Sequence, residues 1–361
     1  MPERIPVQLS GRSYEIILGR HLDRELLSCI ETIKPHGVLL VSDQNVFARH
    51  GARYEALLAG AGAIRRLIVP PGESSKSLMQ LATIYDAALA PPALERSSLV
   101  VALGGGMVGD LAGFAAATLL RGLPLLHIPT SLLAMVDSSI GGKTAINHPA
   151  GKNLIGSFWQ PQAVLCDLTL LDTLPAREFN SALAEIVKYA VIGQEPALED
   201  FEAHKERIKA RTAGRLDEIV AACIRHKARV VAEDEREQTG RRVLLNFGHT
   251  LAHVIETRCP GRFLHGEAVA IGMVAACRVS RRFAGLDAQS PARLAKLLAS
   301  CSLPVKVPAE LTRQELLAGL GGDKKREAGR IQFVVTPRFG RAEVASLALD
   351  DALLDCLLEQ P

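Results

Sequence analysis

The chain lacks most signatures of a secreted, membrane-bound or nucleic-acid-binding protein. Its seven cysteines are an odd number with no paired spacing. Cys29, Cys166, Cys223, Cys259, Cys277, Cys301 and Cys356 each sit among apolar or helical neighbours, which reads as reduced, mostly buried thiols. Charge of one sign is also missing: 42 Lys and Arg against 39 Asp and Glu leave a formal +3. These cations are scattered, so no basic footprint for nucleic acid is expected. No long apolar run is present. The most apolar region, 119–136, is broken by Arg121, Gly122, Pro124 and Pro129, and a membrane span is not expected. The opening MPERIPVQLSGRSYEI has no basic-then-apolar targeting pattern, so a cytoplasmic location is expected. Internal repeats, low-complexity tracts and flexible linkers are absent too.

What is present is enough apolar residue, 48% of 361, to bury two domains' worth of core. The first half alternates short β-branched runs (38–41, 67–69, 99–103, 125–128, 164–166) with helical stretches such as 77–90 and 110–120. Residues 7–9 and 14–18 flank a Ser10-Gly11-Arg12 turn and predict a hairpin. Strand, helix, strand in this order predicts an α/β domain with a Rossmann-like parallel sheet, ligands binding at the strands' carboxyl ends. After Thr173-Leu174-Pro175 the period becomes helical over 178–192, 216–235, 251–257, 267–284 and 291–300, with a late hairpin near 331–344. The expected division is 1–175, an NAD-binding α/β domain, and 176–361, a mainly α-helical metal- and substrate-binding domain, with a cleft between them.

Residues 102–153 hold the densest chemistry: ALGGGMVGDLAGF, then HIPTSLLAMVDSSIGGKTAIN, then HPAGKN. They read as a glycine turn, a Pro-Thr-Ser corner and two lysine-bearing loops. Glycine admits a phosphate close to the backbone, and lysine or asparagine supplies charge and donors there. Gly104, Gly106 and Gly109 satisfy G-x-G-x-x-G between a strand and a helix. The fingerprint is incomplete, because no acidic residue ends a strand about 20 residues later. Asp43 with Asn45, or Glu73 with Lys76, are the acidic sites left for a ribose, though each alone fits a turn or a helix cap. Asp137-Ser-Ser-Ile-Gly-Gly-Lys143-Thr144 is not a triphosphate loop, since aspartate stands at its first glycine.

In the helical half, Glu185 and Lys188 share a helix face at i,i+3. His249 and His253 lie at i,i+4, and His265 opens Gly266-Glu267. A glutamate and two histidines with one open position make a catalytic zinc site. Spacing nominates His249 and His253, but sequence alone does not choose among the three histidines.

Together, GGGMVGDLAGFAAATLLRG, PTSLLAMVDSSIGGKTAINHPAGKN, LAEIVKYAVI, RRVLLNFGHTLAH, HGEAVAIGM and DKK make the chain resemble the 3-dehydroquinate synthase family from about Asp43 to Lys325. Ser131 replaces a usual threonine and Met107 a β-branched residue. The resemblance implies zinc (or cobalt) on Glu185, His249 and His265, with His253 facing substrate. It implies NAD bound by Asp43, Asn45, Glu73, Lys76, Gly105, Gly106, Asp110, Thr130, Ser131, Asp137, Lys143, Lys152, Thr173 and nearby backbone. Substrate contacts map to Arg121, Lys143, Asn153, Lys188, Lys227, Arg242, Asn246, His253 and Lys324, with the choice between Lys324 and Lys325 open. It further implies a sugar-phosphate substrate and a homodimer, Arg121 being assigned across the subunit boundary. The rival expectations are a sister sugar-phosphate cyclase and a metal-dependent polyol dehydrogenase.

Overall fold

The computed structural model describes residues 1–321, 326–327 and 329–360. Lys324 and Lys325 lie outside them. The chain divides into two compact units, one of residues Met1–Pro175 with Lys227–Arg236, the other of Ala176–His226 with Glu237–Pro361.

The first unit contains β1 (Glu3–Val7), β2 (Tyr14–Gly19), β3 (Gly37–Asp43), β4 (Ala63–Val69), β5 (Leu99–Gly104), β6 (Leu125–Pro129), β7 (Lys143–His148), β8 (Gly151–Phe158) and β9 (Ala163–Asp167). Seven form one sheet in the order β1-β2-β9-β6-β5-β3-β4, parallel throughout except for the antiparallel β1–β2 pair. Every residue of β3, β5, β6 and β9 is buried. That explains why these strands read as unbroken apolar runs: a parallel sheet is covered on both faces. β3 lies between β4 and β5, so strand order reverses at the β3–β5 junction. Crevices outside the carboxyl ends of such strands are where α/β sheets bind ligands. Asp43, Gly104 and Pro129 end β3, β5 and β6 on that edge, and Glu73 follows β4.

Two local expectations shift. The first strand of the hairpin is Glu3–Val7, not 7–9, because the chain uses Pro6 on an edge strand, where its missing N–H costs no ladder bond. The lysine-bearing loops of 143–153 are largely strand: β7 and β8 form a separate antiparallel pair. Their polar residues at Lys143, Asn147, His148, Lys152 and Asn153 hide the alternation that would announce strands.

The second unit is built on three helices. Ala176–Ile192 buries its residues from Ser181 to Ile192 without a break, and His265–Phe283 does so from Gly266 to Ser280. His249–Arg258 joins them. Close approach is bought with glycine: a Cβ at Gly266 would sit 1.9 Å from the Ser181 carbonyl oxygen, and one at Gly272 2.0 Å from that of Gly248. A hairpin of β11 (Arg330–Arg338) and β12 (Arg341–Ala348), with β10 (Arg326–Glu327) pairing onto β11, completes this unit's strands. Among the described residues, no helix is long and apolar enough to cross a membrane.

Candidate active site

The glycine contacts set the position of each donor in the second unit. Ser181 lies one turn before Glu185 and touches the residue after His265; Gly248, at φ 79°, precedes His249 and touches Gly272. The three helices therefore meet where Glu185, His249 and His265 project. One ligand atom from each lies within 4.8 Å of the others, the one such cluster of three His, Cys, Asp or Glu among the described residues. Nε2 of His249 is 3.7 Å and Nε2 of His265 3.5 Å from Glu185 Oε1.

The opposite ring nitrogens are tied off. His249 Nδ1 is 3.2 Å from the Phe247 carbonyl oxygen, and His265 Nδ1 is 3.6 Å from Glu256 Oε1. Acceptors beside each Nδ1 turn both Nε2 atoms inward, the outer support common to metal-binding histidines. Glu256 was not singled out in the sequence; its signal was the shared face of His249, His253 and Glu256 at i, i+4, i+7. Glu267 fixes the start of the His265 helix by accepting from the Leu264 N–H at 2.8 Å and from Arg177 at 2.7 and 2.8 Å.

Electrostatics separate the two imidazoles. Burial, reinforced by the Lys188 charge, lowers the His249 pKa to about 3, leaving it neutral. Burial works against charge on His265 as well, but hydrogen bonding to Glu185 and Glu256 raises it to about 10. The fully buried Glu185 carboxylate thus gathers positive charge, and Lys188 Nζ pairs with it. One carboxylate and two imidazoles are the donor chemistry of catalytic zinc, and the set fits Zn2+ or Co2+. His253 is exposed, its ring centroid 5.6 Å from that of His249. Arg242, buried to 2% exposure and 3.8 Å from Glu237, lies with Asn246 on the turn Arg241–Asn246.

The first unit holds the other candidates. Asp43 caps the turn after β3, its Oδ1 accepting from the N–H groups of Asn45 and Val46. Buried Lys76 bridges Asp110 at 2.7 Å and Glu73 at 3.4 Å. Burial raises the Asp110 pKa, with Lys76 opposing. The helix Gly106–Thr118 starts from Gly105 with no side-chain cap, leaving N–H groups for an anion. A Cβ on Gly106 would stand 2.8 Å from Ser138 Oγ, a buried hydroxyl with no hydrogen-bond partner among the described residues. A side-chain-free cradle beside an unsatisfied hydroxyl fits a dinucleotide pyrophosphate. Thr130 donates its N–H to Gly104 O, and Ser131 Oγ accepts from Ala134 N–H. Lys227 Nζ donates at 2.5 Å to both Oδ1 and the carbonyl of Asp137. Thr173 Oγ1 is 2.8 Å from His50 Nε2. Lys143, Lys152 and Asn153 are exposed on β7 and β8. Arg121 is exposed on a turn where Leu120 and Arg121 both take positive φ.

Two family models match in sequence order: the 3-dehydroquinate synthase N-terminal model over residues 66–181 and the C-terminal model over 182–326. The 3-dehydroquinate synthase of Desulforamulus reducens is 43% identical over 343 residues, 94% of this chain and 95% of its own length. A solved 2-deoxy-scyllo-inosose synthase, complexed with carbaglucose-6-phosphate, NAD+ and Co2+, superposes with a TM-score of 0.89 at 25% identity over the whole of both chains. The 2-epi-5-epi-valiolone synthase ValA of Streptomyces hygroscopicus, with NAD+ and Zn2+ bound, gives 0.87 at 25% identity over 97% of each chain. The fold is thus shared with several sugar-phosphate cyclases, while matched sequence along almost the whole length singles out one: the chain belongs to the 3-dehydroquinate synthase family.

Proposed function

We propose that the chain, a carbon–oxygen lyase of that family, converts 3-deoxy-D-arabino-heptulosonate 7-phosphate to 3-dehydroquinate and inorganic phosphate. Glu185, His249 and His265 would hold Zn2+ or Co2+. Asp43, Asn45, Glu73, Lys76, Gly105, Gly106, Asp110, Thr130, Ser131, Asp137, Lys143, Lys152 and Thr173 would hold NAD+. When bound, the metal ion supplies Lewis-acid stabilisation of a sugar alkoxide, and NAD+ a hydride acceptor that is restored within each turnover.

The protein's own part is to bind and orient an anionic substrate. Arg242 and Lys227 are assigned to its carboxylate, where a planar guanidinium suits two oxygens at once. Lys143, Asn153, Asn246, His253 and Lys324 are assigned to its phosphate, with Arg121 reaching it from a second copy in a homodimer. A rigidly held phosphate can take the proton from the neighbouring C6 carbon before it leaves, because positioning substitutes for a strong base. Lys188, paired with Glu185, is assigned to the substrate beside the metal-binding residues. Ring opening and intramolecular aldol closure complete the carbocycle.

The triad of buried Glu185 and His249 with half-buried His265 carries this reading. The test is phosphate release from the heptulosonate substrate with and without NAD+ and a chelator. Release that depends on both, with no net NADH absorbance, is expected. Accumulating NADH would point to a polyol dehydrogenase, and turnover of a different sugar phosphate alone to a sister cyclase.

A further inference from the structure

Asn147, on β7, is absent from the ligand assignments above, yet it connects two of them. The β7–β8 register passes from Ile146 opposite Ile155 to His148 opposite Gly151. Asn147 therefore faces Lys152, Asn153 and Leu154, a bulge in β8. Bulges leave backbone groups without ladder partners, and they often re-aim side chains beside active sites. Here the Asn153 N–H finds its acceptor in Asn147 Oδ1, at 3.0 Å. Asn153 itself stands at φ 57°, a left-handed conformation that needs support from its surroundings.

The other half of the Asn147 amide points the opposite way. Its Nδ2 donates to Glu73 Oε1 at 2.8 Å. Only one orientation of the amide serves both partners, since a carboxylate accepts and a backbone N–H donates. The Asn147 backbone is anchored too, its N–H donating to the Lys76 carbonyl at 2.8 Å. Lys76 in turn holds Asp110 and Glu73. A single side chain thus spans from the acidic cluster after β4 to the bulge that carries Lys152 and Asn153.

We infer that Asn147 is a positioning residue that sets Glu73 for the nucleotide and Asn153 for the substrate phosphate. The inference rests on the proposed roles of Glu73 toward NAD+ and of Asn153 toward the phosphate. Because the two arms use different atoms, substitutions separate them. Asn147→Ala removes both. Asn147→Asp keeps an acceptor for the Asn153 N–H but sets a second carboxylate against Glu73.

The experiment measures the Kd of NAD+ by titration calorimetry, and KM and kcat for the heptulosonate phosphate by phosphate release. It compares the wild type with Asn147→Ala, Asn147→Asp and Asn153→Ala, after circular dichroism shows each variant folded. Asn147→Ala is expected to raise the NAD+ Kd and the substrate KM by about tenfold each, the equivalent of one lost hydrogen bond per arm. Asn147→Asp is expected to raise the NAD+ Kd to a similar degree while leaving KM within about twofold. Asn153→Ala is expected to raise KM alone. If Asn153→Ala raises KM and Asn147→Ala moves neither constant, the positioning role is overturned and the phosphate assignment stands. If Asn153→Ala leaves KM unchanged, the phosphate assignment itself fails, and with it the substrate arm. A fall in melting temperature with both constants unchanged would reduce Asn147 to a purely structural residue.

Discussion

Gly266→Ala puts a methyl group against the backbone next to His265. The new Cβ would stand 1.9 Å from the Ser181 carbonyl oxygen, whereas real Cβ atoms essentially never come closer than 3.0 Å. The start of the helix must retreat by about 1.1 Å, since the obstacle is backbone and not the end of a flexible side chain. Metal–nitrogen bonds to histidine tolerate about 0.2 Å, so a retreat of that size takes Nε2 of His265 out of reach of an ion held by Glu185 and His249. Overpacking of this kind costs about 3 kcal/mol. The helix gains back about 1 kcal/mol, because alanine is the better helix former. The net loss, about 2 kcal/mol, lowers the melting temperature by roughly 4–8 °C in a unit of this size. Zinc content by elemental analysis and phosphate release should fall together. Gly60→Ala is the control, because a Cβ there meets nothing within 4 Å. A Gly266→Ala protein with one zinc per chain and an unchanged melting temperature would refute the argument that this glycine contact places His265.

Other outcomes follow from the charges. Zn2+ binding to chelator-stripped protein at pH 7.5 should release about one proton, since His265 is held charged with a pKa of about 10 while His249, at about 3, is already neutral. Calorimetry in two buffers of different ionisation enthalpy counts the protons, and release of none or of two would contradict the assignment. Metal affinity should accordingly rise with pH across the neutral range. Lys76→Met leaves Asp110 and Glu73 without their shared cation, and a loss of about 3 kcal/mol is expected at pH 8. Burial already raises the Asp110 pKa, and losing Lys76 raises it further, so the deficit should narrow as pH falls and the carboxyl takes up a proton. Thermal melts at pH 8 and pH 5 test the sign: a deficit that grows on acidification would mean that the ion pair is not the cause. Arg242→Lys should raise the substrate KM at least about tenfold with the fold intact, because an ammonium loses the guanidinium fork; unchanged kinetics would remove Arg242 from the site.

How much of this was legible in the sequence depends on what each segment must bury. The strands β3, β5, β6 and β9 announced themselves because a sheet covered on both faces leaves no room for polar alternation. The β7–β8 pair did not, because its exposed side chains, Lys143, His148, Lys152 and Asn153 among them, follow no strand alternation. The same conflict explains why Asn147 escaped notice: its side chain matters through a bulge, and a bulge is a property of register between two strands, not of either strand's composition.

The histidines show a second limit. Residues at i and i+4 share a helix face, so spacing favours His249 with His253, but a shared face does not say what stands opposite it. The face of the His249–Arg258 helix is answered by Glu185 and His265, brought in by the Ser181–Gly266 and Gly248–Gly272 contacts, and His253 one turn on remains exposed. The relevant signal was therefore present as glycine, next to each histidine in FGHT and HGEA, and not as histidine spacing. A ligand set assembled from three helices is encoded in the residues that let those helices touch, so such sites can be sought in a sequence by looking for small residues beside candidate ligands as well as for the ligands themselves.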